Sequence, residues 1–264
     1  MPYYLNFFEK GLSLAQNIDR IMFCRNASLA REIDILFKSQ FRNPDLYERV
    51  VMYLSTRRYG YSRREISEKT GISSGSRLSV VLDSLEESDF IEQYKPFDAV
   101  GKEVLYRLTD PFCLFSMRFK DANGEHFWQE NQHGASIRTW MGMAFEHLCA
   151  LHVDKIKVKL GISGMQADVM AFTLRGDENH DGMQCDMLIV RRDNVVNLCE
   201  MKFSQDIFAI DRNYYFTLQH RISMLIERLL KRQVVHLTFV TANGVKRNEY
   251  SGIIQSEVVI DDLF

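Results

Sequence analysis

The sequence is short of proline, with four in 264 residues, and carries fourteen glycines. That excludes a collagen-like chain or a Pro/Gly-rich disordered one. Neither sign of charge is in excess. Lys and Arg number 33 against 35 Asp and Glu, a net charge of -2, which excludes a polybasic tail protein but leaves room for a local basic face. No apolar run reaches the ~18–20 residues needed to cross a bilayer. Met1-Pro2-Tyr3-Tyr4-Leu5 lacks the charged start and apolar stretch of a signal peptide. The five cysteines (24, 113, 149, 185 and 199) form no C-x-x-C pair, so a zinc site of the usual spacing is unsupported. They read as reduced core thiols of a cytoplasmic protein.

Several motifs are missing as well. The nearest approach to G-x-x-x-x-G-K-[ST] is Gly71-Ile72-Ser73-Ser74-Gly75-Ser76-Arg77, which fails on spacing and on the lysine. No nucleotide-binding residue is therefore expected, and the chain should not hydrolyse ATP alone. The histidines show no H-E-x-x-H spacing, and no nucleophile elbow or dinucleotide fingerprint occurs. Asp177, Glu178, His180 and Asp181, between Gly176 and Gly182, read as a polar loop.

What is present is an ordinary core-forming composition, 46% hydrophobic and 26% charged, long enough for two domains at roughly 150 residues each. Residues 1–41 read as two amphipathic helices: Leu5, Phe8, Leu12, Ile18 and Ile21-Met22, then Leu29, Ile33, Leu36 and Phe37, with Ser28 as N-cap of the second. Asn43-Pro44-Asp45 breaks the pattern. Residues 42–120 read as three helices and a hairpin. Leu46 to Leu54 is the first helix. Ser62-Arg63-Arg64-Glu65, a capping-box shape, opens the second, which Gly71 ends, and Ser74 to Ser88 is the third. Phe90–Tyr94 and Glu103–Leu108 are strands, with Pro96, Asp98 and Gly101 in the turn. Three helices and a two-stranded wing is the order of a winged helix-turn-helix.

Residues 121–264 read α-β-β-β-α-β. Trp140–His152 is a helix and Asp154–Leu160 an alternating strand. Asp186–Val190 and Val195–Phe203 are strands joined by the turn at residues 191–194. Tyr214–Lys231 is a long helix with the apolar stripe Leu218, Ile222, Leu225, Ile226 and Leu229, and Val234–Thr241 is a buried strand. The whole predicts an α+β chain: an N-terminal helical pair, a winged helix, and an α/β domain with a mixed sheet.

The chemistry concentrates at Asp186 and Glu200-Met201-Lys202. Residues i and i+2 of a strand share a face, so Glu200 and Lys202 project together, away from Cys199, Met201 and Phe203. Charges on a central strand are costly to bury without a partner. An antiparallel pairing would bring Asp186 to the Glu200–Lys202 end. Two carboxylates suit a hard divalent ion: Asp186, Glu200 and the carbonyl of Met201 can hold Mg²⁺ (or Mn²⁺), and Lys202 can orient a water and offset phosphate charge. E-x-K alone recurs by chance about once in ~280 residues at ~6% per residue, so the strand context carries the reading.

Cys185-Asp186-Met187, Leu198-Cys199-Glu200-Met201-Lys202-Phe203, Val234 to Thr241 and Asn248-Glu249-Tyr250-Ser251-Gly252 resemble the C-terminal domain of a prokaryotic and archaeal AAA-type ATPase family, assigned to the PD-(D/E)XK nuclease superfamily. The resemblance extends over nearly the whole chain, with residues 1–41 similar to the end of the ATPase lid and the nucleotide-binding core absent. It implies a restriction-endonuclease-like fold over 121–264, metal binding by Asp186 and Glu200, catalysis by Lys202, and a completing Glu146 in Ala144-Phe145-Glu146-His147. It also implies a truncated relative or a fragment whose first helices dock on an ATPase chain.

Between residues 57 and 77, Arg57, Arg58, Arg63, Arg64, Lys69 and Arg77 face only Glu65 and Glu68. Ser73, Ser74, Ser76 and Arg77 lie at the start of the recognition helix, where phosphate or base contacts are made, while residues 83–92 are acidic. DNA is the expected partner of this one basic face. The leading expectation is a DNA-binding, metal-dependent phosphodiesterase, with a homodimer possible for two-strand cleavage. The alternative is a non-catalytic DNA-binding or regulatory partner of an ATPase with a vestigial nuclease fold. Gln219 is a further candidate for substrate contact.

Overall fold

The structure is a computed structural model and describes residues 2–57, 60–94, 104–174, 183–228 and 232–264. The chain divides into two compact units. One comprises Met1–Gln93 and Val104–Trp140, and the other is built on Met141–Phe264.

The N-terminal unit begins with α1 (Pro2–Leu5) and α2 (Leu14–Ile18), which runs on as a π-helical turn over Asp19–Phe23. Of the two amphipathic helices expected over residues 1–41, the second forms as a helix over Glu32–Gln40, while the first is replaced by these short pieces. Buried Asn17 holds the chain in a turn instead: its side chain accepts from Glu9 N at 2.7 Å and donates to the Glu9 and Leu12 carbonyls at 3.1 and 3.3 Å. Ser13 then starts α2 through a reciprocal capping box with Gln16. The next helix, α3 (Glu32–Gln40), starts four residues beyond Ser28, so Ser28 is not its N-cap.

The following elements are α4 (Pro44–Leu54), β1 (Tyr61–Ser62), α5 (Arg63–Thr70), α6 (Ser76–Glu87), β2 (Ile91–Tyr94) and β3 (Leu105–Leu108), of which all but the unexpected short strand β1 match the sequence pattern closely. Ser62 and Glu65 form the expected capping box, and Gly71 ends α5 in the left-handed conformation at φ 70°. The small sheet has the order β1-β3-β2, with β1 antiparallel to β3. Glu103 and the expected turn at Pro96, Asp98 and Gly101 lie outside the described residues. Ile33 and Phe37 of α3 share one apolar core with Val50, Leu54, Ile66, Leu78, Leu82 and Leu85. Helices α7 (Pro111–Arg118) and α8 (Phe127–Asn131) complete this part of the chain.

The C-terminal unit is built from the latter part of α9 (Ala135–Leu151), α10 (Val153–Lys159), β4 (Ala167–Leu174), β5 (Met183–Arg191), β6 (Val195–Lys202), α11 (Arg212–Arg228), β7 (Val234–Thr241) and β8 (Ser256–Val259). The strands form one mixed sheet in chain order. β4, β5 and β6 are antiparallel neighbours, while β6–β7 and β7–β8 are parallel. Three expectations are corrected here. The segment Asp154–Leu160 is the helix α10, because Val153, Ile156 and Leu160 pack on the core at helical spacing while Val158 is 61% exposed. The alternation of Lys155, Lys157 and Lys159 with apolar residues was a coincidence of composition. β4 and β8 are additional strands, and α11 starts at Arg212. Its expected end at Lys231 lies outside the described residues.

Side chains alternate cleanly across the sheet. Met187, Ile189, Cys199, Met201 and Val240 pack on Phe145, Cys149 and Ile156. Leu188, Val196, Leu198, Leu237 and Phe239 pack on Leu218 and Leu225 of α11. β6 is central and buried over all but its end residues.

Candidate functional site

Glu200 sits near the end of β6 on the α11 side, 1% exposed. Two turns of α11 supply its partners. Tyr214 and Arg221 flank Leu218 at helical spacing, so the helix stripe that buries Leu218 and Leu225 also turns a hydroxyl and a guanidinium toward the sheet. Arg221 donates to both Glu200 oxygens, at 3.0 and 2.8 Å. Tyr214 donates its hydroxyl to Oε1, and Lys202 Nζ lies 2.7 Å from the same oxygen. Lys202 also stands 5.4 Å from the Tyr214 ring centre. Burial works to raise the Glu200 carboxyl, but Lys202 and Arg221 outweigh it and hold the group below the usual carboxylate range. Burial first, then Glu200, raises the Tyr214 hydroxyl strongly.

Asp186 enters from β5. The β5–β6 ladder pairs Val190 with Val196 and continues to Met187 opposite Cys199. Just past the last paired rung, the Asp186 carboxylate accepts Met201 N–H at 2.8 Å. Glu146, on α9 between the buried Phe145 and Cys149, feels the same cluster. Its carboxyl is pushed up to about 8, by burial first and then by Asp186, with Lys202 acting in the opposite direction. The structure therefore brings Glu146, Asp186, Glu200 and Lys202 into one electrostatic cluster, and adds Tyr214 and Arg221, which the sequence reading did not name. A signal for them existed: an arginine on the buried stripe of a helix needs a partner, and a glutamate on a buried strand offers one. Gln219 takes no part, since it is exposed and donates to Tyr215.

Among the described residues, no group of three or more His, Cys, Asp or Glu side chains is arranged to hold a metal ion. The donor chemistry nonetheless suits a hard cation, because Glu146 and Asp186 supply carboxylate oxygens close enough for the charge of Asp186 to raise Glu146. Both Glu200 oxygens are already engaged by Arg221, and one Asp186 oxygen accepts Met201 N–H. Asp177, Glu178, His180 and Asp181 lie outside the described residues.

The basic face of the N-terminal unit sorts into two classes. Arg57 and Arg63 spend their hydrogen bonds on the fold. Arg57 donates to Gly60 O at 2.8 Å and Glu65 at 3.0 Å, with its guanidinium 3.8 Å above the Tyr61 ring. Arg63 donates to the Ser74 and Gly75 carbonyls at 2.9 Å and to Ser79 at 2.8 Å, fixing the start of α6. Lys69, Ser73, Ser74, Ser76 and Arg77 are exposed, as is Arg64, 87% exposed beside Glu68. Arg58 lies outside the described residues. Ser76, Arg77, Val80, Ser84 and Glu87 on one side of α6 border an open groove of about 750 Å³ that Arg42 also lines.

Compared with protein-family models, curated proteins and solved structures, the chain matches none. No described helix is long and apolar enough to cross a membrane.

Proposed function

We propose that this chain is a DNA-binding, divalent-metal-dependent phosphodiesterase of the PD-(D/E)XK kind, with a winged helix in the N-terminal unit and the reaction site at the end of β5 and β6. The single observation that carries the reading is the meeting of Asp186 with the Glu200–Lys202 end of β6, where the Asp186 carboxylate accepts Met201 N–H at 2.8 Å and Lys202 stands 2.7 Å from Glu200, with half-buried Glu146 in the same field. Carboxylates crowded with this little solvent gain most from a shared cation. Asp186, Glu146, Glu200 and the carbonyl of Met201 are the residues that would hold Mg²⁺ or Mn²⁺, which would supply Lewis acidity toward a phosphoryl oxygen. Lys202 would orient the attacking water and offset the charge of the phosphate. Lys69, Ser76 and Arg77 would contact the DNA backbone, while Arg57 and Arg63 would hold α5 and α6 in place. The resemblance to AAA-type ATPases adds an ATPase chain, or a second copy, as the partner.

A second reading, a non-catalytic DNA-binding scaffold, is favoured by one specific feature: both oxygens of Glu200 are engaged by Arg221. Cleavage assays on labelled duplex, branched and single-stranded DNA with Mg²⁺ or Mn²⁺ separate the two. Metal-dependent cutting lost in Asp186→Ala and Lys202→Ala supports the enzyme. DNA binding without cutting under any of these conditions supports the scaffold.

A further inference from the structure

The bonds around Glu200 are unevenly distributed. Oε1 accepts from Tyr214, Lys202 and Arg221, more donors than its two lone pairs serve well, whereas Oε2 accepts from Arg221. Glu200 is buried and Tyr214 packs against the sheet core. The two cations both keep a route to solvent, with side chains 29% exposed for Lys202 and 27% for Arg221. Arg221 differs from Lys202 in its reach: it bonds both Glu200 oxygens, whereas Lys202 meets Oε1.

We propose that Arg221 is a resident counter-cation that holds Glu200 closed to a divalent ion until a phosphodiester draws the guanidinium away. A planar guanidinium pairs two-pronged with carboxylate and with phosphate alike. A phosphate of the bound strand can therefore take over the bonds that Arg221 makes to Glu200. The carboxylate then becomes available to the cation. Arg221 is a positioning residue in this scheme: it acts through Glu200, and it makes metal binding at Glu200 depend on substrate. The proposal rests on the metal-dependent reading above and deepens it.

The test is calorimetric titration of Mn²⁺ into the full chain, its Arg221→Met variant, Glu200→Gln and the double variant, with folding checked by circular dichroism. Arg221→Met is expected to bind Mn²⁺ at least ten-fold more tightly than the wild type. That gain should vanish between Glu200→Gln and the double variant, which a general change of local charge would not produce. Added phosphorothioate-linked duplex DNA should tighten Mn²⁺ binding in the wild type but not in Arg221→Met. If Arg221→Met is misfolded, Arg221→Gln, which keeps a hydrogen-bond donor without the charge, takes its place with the same expectation. Equal Mn²⁺ affinity in the wild type and a folded Arg221 variant overturns the proposal while leaving the metal site standing. An absence of Mn²⁺ binding in every variant overturns the metal-dependent reading itself, and this proposal with it.

Discussion

Among the described residues, each unit buries one carboxylate almost completely, and the two are satisfied in opposite ways. In the N-terminal unit Asp19, 1% exposed, accepts the backbone N–H groups of Trp128 at 2.7 Å and Gln129 at 3.0 Å, and the Gln129 side-chain amide at 2.9 Å. In the C-terminal unit Glu200, equally buried, is met by a lysine, an arginine and a tyrosine. Backbone amides at the start of α8 are fixed donors, so Asp19 is a fastener between the π-helical turn and α8. Long charged side chains can exchange partners. At Glu200 two of the donors are cationic side chains with a route to solvent, whereas at Asp19 two are backbone amides held by the helix.

The largest effect is expected from Glu200→Ala. Removing the anion leaves Arg221 and Lys202 without their shared partner, and the loss should be about 3–5 kcal/mol of unfolding free energy in denaturant titration. A loss under about 1 kcal/mol would mean that both cations relax into water and that the pair is not tightly held. Asp19→Ala should cost less, about 2 kcal/mol, since it strands neutral amides that can recruit water. If it costs more than Glu200→Ala, the contrast between a backbone fastener and an ion-pair cluster fails.

Glu146 sharpens the comparison through pH. Its native carboxyl, near 8, stands above the ~4.3 of an unfolded chain. Its contribution to stability is therefore complete below the unfolded value and lost as pH rises through the native one. In chelator, the stability of the wild type relative to Glu146→Gln should fall between about pH 5 and 8, with a slope of up to about 1.4 kcal/mol per pH unit, and level off above. A flat difference would remove Glu146 from the cluster. The smallest effect on folding belongs to the surface cations: Lys69→Ala and Arg77→Ala should each change stability by less than about 0.5 kcal/mol. Each should also lower the salt slope of DNA binding by about 1.

Much of the N-terminal unit was legible because its signals are local. The Ser62–Glu65 capping box, the φ 70° turn at Gly71 and the apolar spacing of α4 and α6 act within a few residues. The first of the two expected N-terminal helices misled because Asn17 ties the chain into a turn through bonds that no helical periodicity registers, whereas the apolar spacing of Ile33 and Phe37 did mark α3. In the C-terminal unit the β5–β6 hairpin and the shared face of Glu200 and Lys202 followed from alternation alone. α10 did not, because its seven residues carry a pattern compatible with either period until the packing of Ile156 decides it. β8, four residues long, gave too little pattern to read.

By itself the sequence determined which residues are charged on a buried strand, that Asp186 can stand across from Glu200, and where the basic residues of α5 and α6 cluster. Those follow from strand alternation, hairpin pairing and helix caps, all of which operate over short separations. Only the tertiary structure decided that Arg57 and Arg63 are braces, that Glu146 shares the field of Asp186, and that Arg221 and Tyr214 engage Glu200. Those outcomes depend on α9 and α11 packing against the sheet and on the turn before α6, where burial turns a weak surface attraction into a partnership the fold must satisfy.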